Sequence, residues 1–284
     1  MSMDVPQILF EDADILVLNK PSGMTVNNAD SNREEETVQK WVEGNVQLTM
    51  GNGQVKKDVI SNEVRDPSGI SPHDVRRNDI NAREGEYNIE EEFQNRGGIV
   101  HRLDKETSGV LVVAKNPESF GKLKEQFMSR TTQKSYLALT HGKIVPSEGE
   151  INAPVGRLPF NRMHFGVLAG GREAVTRYQV ISNFHFPSSI KNREVLSLVQ
   201  LFPKTGRTHQ IRVHLKYINH PIVADPLYAG RKTGREDRKK LSRLFLHAEK
   251  LTFTHPTSGK EMTVEAPLPR ELGEFIGKLE KINE

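Results

Sequence analysis

The run GVLVVAK at 109–115 constrains this chain more tightly than any other stretch. Between Gly109 and Lys115 every side chain is apolar, and three of the five are valine. A strand with one wet face alternates polar and apolar residues. One that is apolar at every position has to be covered on both faces. The chain must therefore build a sheet with a layer on each side here. Directly before it, GGIVHRLDKETS at 97–108 sets His101, Arg102 and Asp104 close together against the buried strand. Charge in that position is costly unless something uses it.

The remaining segments supply partners for such a strand. Short β patterns at 8–10 and 15–18 flank an acidic DAD turn, and Pro21 with Gly23 closes the second. NPESFGKLKEQFMSR at 116–130 has helix-start chemistry, with Asn116 as cap, Pro117 first in the helix and Glu118 in its first turn. Phe120, Leu123 and Phe127 then share one apolar face. KSYLALTHGKI at 134–144 is a strand, and a loop rich in Gly and Pro follows. AVTRYQVIS at 174–182 and EVLSLVQLF at 194–202 alternate with period two. LFLHAEKLTFTHPTSGKEMTVEAPLP at 244–269 gives two strands around a turn at 256–259. Strands outnumber the interspersed helices, so the fold class expected is α+β with a largely antiparallel mixed sheet.

Between the strand patterns, residues 30–96 are polar and broken by Gly, Pro and Asn, apart from a short helix capped by Thr37 with Val38, Trp41 and Val42 on one face. This stretch reads as a partly ordered surface excursion within a single domain spanning 1–284, because a strand pattern resumes at once afterwards. It carries 9 Lys/Arg and 15 Asp/Glu, whereas 97–284 carries 30 Lys/Arg and 18 Asp/Glu. A basic block of that size suits a polyanion. The chain has no cysteine, which excludes disulfides, thiolate metal sites and cysteine nucleophiles. No apolar run approaches the ~20 residues that cross a bilayer, and the N-terminus lacks signal-peptide regions. A cytoplasmic protein without membrane attachment is expected.

Two segments carry chemistry. In LFPKTGRTHQIRVHL at 201–215 a strand ends in a glycine turn and a helix starts near Thr208. Free N–H groups there favour an anion, with Lys204, Arg207 and His209 beside them. Ile211, Leu215 and Ile218 form the apolar face, which places Arg212 and Lys216 on its polar flank. In HRLD, Asp104 can cap a turn, or it can act as nucleophile or general base held ionised by a guanidinium. Arg102 and Arg212 both qualify as that guanidinium.

Together, HRLDKETSGVLVVAK and GRTHQIRVHL resemble the two most diagnostic motifs of the RluA-type pseudouridine synthases. EDADILVLNKPSGMTV, with its Lys-Pro-x-Gly around Lys20, KSYLAL, HPIVADPLYAG and the closing segment at 244–269 match further motifs in the family's order. The resemblance covers 8–28 and 97–269. It implies isomerisation of uridine to pseudouridine within ribosomal or transfer RNA, by a monomer that uses no cofactor and no metal. No S4 RNA-binding domain is expected ahead of the first catalytic strand, near residue 8.

Residue by residue, the resemblance makes Asp104 the catalytic aspartate, Arg212 the arginine that keeps it anionic, and Tyr136 the tyrosine that stacks on the target uracil. Without the motif, Tyr136 would read as a core aromatic. Arg102 matches the arginine that fills the gap left by the flipped uridine; flipping is unavoidable because neither C1′ nor C5 is accessible in a stack. Ile211 and Leu246 wall the base pocket. His101, Arg207 and Lys20 are further candidate substrate contacts, with His101 serving local structure or RNA rather than chemistry. Two other readings stand beside this one: an RNA-binding protein that kept the fold without the reaction, and a metal-dependent nuclease using His101, Asp104, His209 and His214. Those four show no recognised metal-ligand spacing.

Overall fold

The computed structural model describes residues 5–29, 34–49, 88–186 and 194–282, so most of the acidic excursion, 50–87, lies outside the described residues. The chain opens with β1 (Gln7–Glu11) and β2 (Ile15–Lys20), joined by the predicted DAD turn. There, one carboxylate oxygen of Asp12 accepts the N–H groups of Asp14 and Ile15, each at 2.8 Å. Helix α1 (Val38–Asn45) starts at Thr37, whose hydroxyl accepts from Lys40 N, and α2 (Ile89–Arg96) is capped by Asn88. Such caps contribute about 1 kcal/mol each.

β3 (Ser108–Ala114) is the apolar run, and all seven residues are buried as the pattern requires. Helix α3 (Pro117–Met128) follows, with Asn116 Oδ1 accepting from Ser119 N at 2.8 Å. Next come β4 (Gln133–His141), β5 (Glu148–Asn152), β6 (Val155–Leu158) and β7 (Asn161–Val167). The last three occupy what the sequence presents as a Gly- and Pro-rich loop. β5 and β6 are short, and β6 and β7 form a separate two-stranded sheet. β8 (Val175–His185), β9 (Val195–Pro203), α4 (Gln210–Tyr217) and α5 (Arg231–Arg238) lead to β10 (Leu246–Thr254), β11 (Glu261–Glu265), α6 (Arg270–Ile276) and β12 (Glu280–Lys281).

The main sheet runs β1-β2-β3-β10-β4-β9-β8-β12, with β11 on β10 and β5 on β8. Its pairings are antiparallel except β3 with β10, which meet over only two residue pairs, His247 with Ser108 and Ala248 with Gly109. This short parallel seam joins two cores. One is built on β2, β3 and α3; the other lies on β4, β8, β9, α4 and α6. Gly109 makes the seam possible: its φ is 120°, and a Cβ there would stand 2.1 Å from the carbonyl oxygen of Ala248. The HRLD loop enters β3 at this seam.

Candidate active site

A cleft of about 530 Å³ opens where the two cores meet. The loop before β3, the start of α4, the end of β9 and one face of β4 line it. Tyr136 on β4 packs against both cores and reaches this space. Among the described residues, seven lysine and arginine side chains line the cleft (Arg96, Arg102, Arg130, Lys134, Lys204, Arg207 and Arg212), against one carboxylate, Asp104. A field of that sign draws in a polyanion.

Asp104 sits in a tight turn closed by Thr107 N donating to its backbone carbonyl at 3.0 Å. Among the described residues its carboxylate caps nothing. It faces Arg212, with Nη1 at 3.5 Å from Oδ2, and its side chain keeps 18% of its surface exposed. The guanidinium partner is therefore Arg212, not Arg102, which is exposed on the cleft lining.

Arg212 itself departs from the expected polar flank. Its side chain is 3% exposed, because α4 is covered along all of 210–215. A charge so placed needs partners. Its Nε and Nη2 donate to the two oxygens of Asp225 at 2.8 and 2.9 Å, and its guanidinium lies 5.1 Å from the ring centre of Tyr228. Burial opposes the charge, but the hydrogen bonds and charge of Asp225, then Asp104, outweigh it and raise the pKa. Burial and the nearby Asp104 also raise the Tyr136 phenol well above its ordinary value, so the hydroxyl stays protonated at neutral pH.

The helix begins at Gln210 rather than near Thr208, after His209 adopts a left-handed backbone with φ 55°. Gln210 explains the turn before it. Its side-chain oxygen accepts from Thr205 Oγ1 at 2.7 Å and Arg207 N at 3.0 Å, and its amide donates to Val175 O and Thr176 Oγ1. His209 lines the cleft with Nδ1 2.9 Å from Tyr228 Oη, and burial lowers its pKa.

His101 is half-buried on the cleft lining and braces β3. Its Nε2 accepts from Val112 N at 3.0 Å and its ring stacks on Phe127 at 4.4 Å. Burial and the charges of Lys134 and Arg96 lower its pKa to about 3. Ile211, Leu246 and Arg207 all line the cleft, with Arg207 Nε donating to Glu173 O at 3.0 Å. His214 is turned away, bonded to Thr176 Oγ1 and the carbonyl of Ala153.

Lys20 stands apart from the other candidate contacts. It does not line the cleft and is wholly buried, with Nζ donating to the carbonyls of Pro21 at 2.7 Å, Met24 at 2.8 Å and Lys105 at 3.1 Å. Gly23 N and Ser22 Oγ donate to the carbonyls of Lys105 and Glu106. The Lys-Pro-x-Gly turn thus ties the end of β2 to the loop that carries Asp104. Burial and the charge of Arg243 pull the Lys20 pKa down to about 7.

Sequence reasoning missed Asp225, Tyr228 and Gln210. Asp225 lies within HPIVADPLYAG, and the Asp-Pro pair there signals a turn; nothing local tells which side chain its carboxylate will meet.

The sequence matches the family described as RNA pseudouridylate synthase over residues 14–217. An uncharacterized RNA pseudouridine synthase of Bacillus subtilis is 36% identical over 96% of this chain and 73% of its own length. Ribosomal large subunit pseudouridine synthase D of Neisseria meningitidis is 43% identical over 65% of this chain, and the aligned part spans 48% of that relative. Among solved structures, human RNA Pseudouridylate Synthase Domain Containing 1 superposes with a TM-score of 0.65 at 25% identity, covering 99% of this chain and 91% of that one.

Proposed function

The chain belongs to the RNA pseudouridylate synthase family, whose members are isomerases acting on RNA, and from that premise we propose that it converts specific uridines of ribosomal or transfer RNA to pseudouridine with Asp104 as the reacting carboxylate. The observation that carries this reading is Asp104 itself. Among the described residues it is the one carboxylate lining a basic cleft, 3.5 Å from a buried arginine, with Tyr136 lining the same space.

The reaction breaks the C1′–N1 bond, turns the uracil and joins C1′ to C5. N1 gains a proton and C5 loses one, so no oxidant or reductant is needed. Asp104 acts at the ribose, by attack on C1′ or by taking a ribose proton in an elimination. The Tyr136 ring stacks on the extruded uracil between Ile211 and Leu246. Its hydroxyl, held protonated, lies near the carboxylate and assists proton loss at C5 only through an acceptor such as Asp104. Arg102 occupies the place that the flipped base leaves in its stack. The remaining cations grip phosphates.

In vitro transcripts of ribosomal and transfer RNA, tritiated at uridine C5, test the proposal. Tritium release without added metal that vanishes in Asp104→Asn supports it. Ribosomal RNA is the first substrate to offer, since the Neisseria relative carries the large ribosomal subunit in its name. Binding of both RNA classes without release would replace this reading with that of an RNA-binding protein.

A further inference from the structure

Arg212 is bonded unequally to its two carboxylates. Asp225 accepts from Nε at 2.8 Å and Nη2 at 2.9 Å, the two-pronged match of a guanidinium edge to a carboxylate. Asp104 stands 3.5 Å from Nη1, beyond the length of a strong charged hydrogen bond. The Asp225 side chain has no exposed surface. Its Oδ1 also accepts the N–H groups of Leu227 at 2.8 Å and Tyr228 at 3.0 Å. Behind it, Ala224 adopts a left-handed backbone (φ 59°) and its N–H is held by Asp237 at 2.9 Å. Asp225 is thus anchored independently of the cleft.

We infer that Asp225 is a positioning residue: it holds Arg212 in place and supplies its counter-charge while Asp104 engages the ribose. The physical reason lies in what happens to Asp104 during turnover. Once its oxygen bonds to carbon or takes a proton, it no longer neutralises the guanidinium. An arginine paired with Asp104 alone would then be a buried, uncompensated charge, which is strongly unfavourable. With Asp225 in place, Asp104 can change its bonding without displacing Arg212. The inference rests on the reading of Asp104 as the reacting carboxylate.

Asp225→Asn keeps the shape and removes the charge. In tritium release it should lower kcat at least tenfold while KM for the RNA stays within twofold, since the RNA grip lies on other residues. Placed on Arg212→Met, it should cause no further loss, because its effect passes through Arg212. An unchanged kcat in folded Asp225→Asn, or losses that multiply in the double variant, would overturn the inference. Should Asp225→Asn fail to fold, Asp104→Asn answers the same question by NMR. There the Arg212 Nε–H should remain protected from exchange, held by Asp225; loss of protection would overturn the inference equally. Failure of the underlying reading looks different: Asp104→Asn would itself release tritium.

Discussion

The ammonium of Lys20 donates to the backbone carbonyl of Lys105 at 3.1 Å, tying the end of β2 to the residue next to Asp104. The contact spans 85 residues of sequence, and neither residue lines the cleft. Lys20→Met should therefore act on both folding and turnover without touching RNA. Three carbonyls lose a donor that they share, and an ordinary buried hydrogen bond contributes about 0.5–1.5 kcal/mol net. The expected outcome is a loss of roughly 2–4 kcal/mol in urea denaturation, by the same scale. Tritium release should fall by more than the unfolded fraction explains, while RNA affinity is retained. Unchanged stability would show that the turn is held by Ser22 and Gly23 alone.

Gly109→Ala tests the seam between the cores. With φ at 120° and the Ala248 oxygen 2.1 Å from the new Cβ, β3 and β10 must separate. We expect a loss of about 3 kcal/mol or more, in the range of strained backbone and overpacked cores. Gly44→Ala in α1 is the control. A Cβ there meets nothing within 4 Å, and alanine in a helix should be better by about 1 kcal/mol. Equal thermal shifts for the two variants would contradict the steric account.

His141 makes stability depend on pH. Burial opposes charging its ring, but hydrogen bonds to Asp237 at 2.9 Å and Glu194 at 2.6 Å prevail and raise its pKa to about 9. A histidine raised above its unfolded value of about 6.5 stabilises fully below that value. The contribution then fades as pH rises through about 9. Wild type should exceed His141→Gln in melting temperature by the most near pH 6, and the gap should close by pH ~10. A gap that stays constant across that window would remove the imidazolium from the account.

Arg102 is exposed at the cleft, and its proposed task is to replace an extruded base. Arg102→Ala should then slow tritium release on a folded RNA transcript by about 10–100-fold, in keeping with an unstacking cost of a few kcal/mol. On a short single-stranded oligonucleotide containing the same uridine, the loss should be several-fold smaller. Equal losses on both would assign Arg102 to phosphate binding instead.

Much of the architecture is readable locally. The apolar run of β3, the Asn116 and Thr37 caps and the face shared by Phe120 and Leu123 follow from period and capping, which depend on near neighbours only. The β5–β7 region stayed hidden because its strands carry little alternation and lie among glycines and prolines, although each pairs with a nearby strand, β5 with β8 and β6 with β7. Arg212 was legible as a site residue but not as a buried one. Helical periodicity marks which face is apolar; it does not register a second layer that covers a charged side chain once Asp225 is there to pair it.

The sequence by itself therefore determined most of the strands, the caps and the basic cleft-forming segments, and its family resemblance singled out Asp104, Tyr136 and Arg212 as the residues of interest. The tertiary structure decided how they work together. It gave Arg212 to Asp225 first and Asp104 second, left Lys20 out of the cleft and bonded to the Asp104 loop, and made His101 a brace for β3. The reason is physical: backbone preference and hydrophobic period act over a few residues. The partner of a buried charge is chosen by whichever distant segment brings a matching group within about 3 Å.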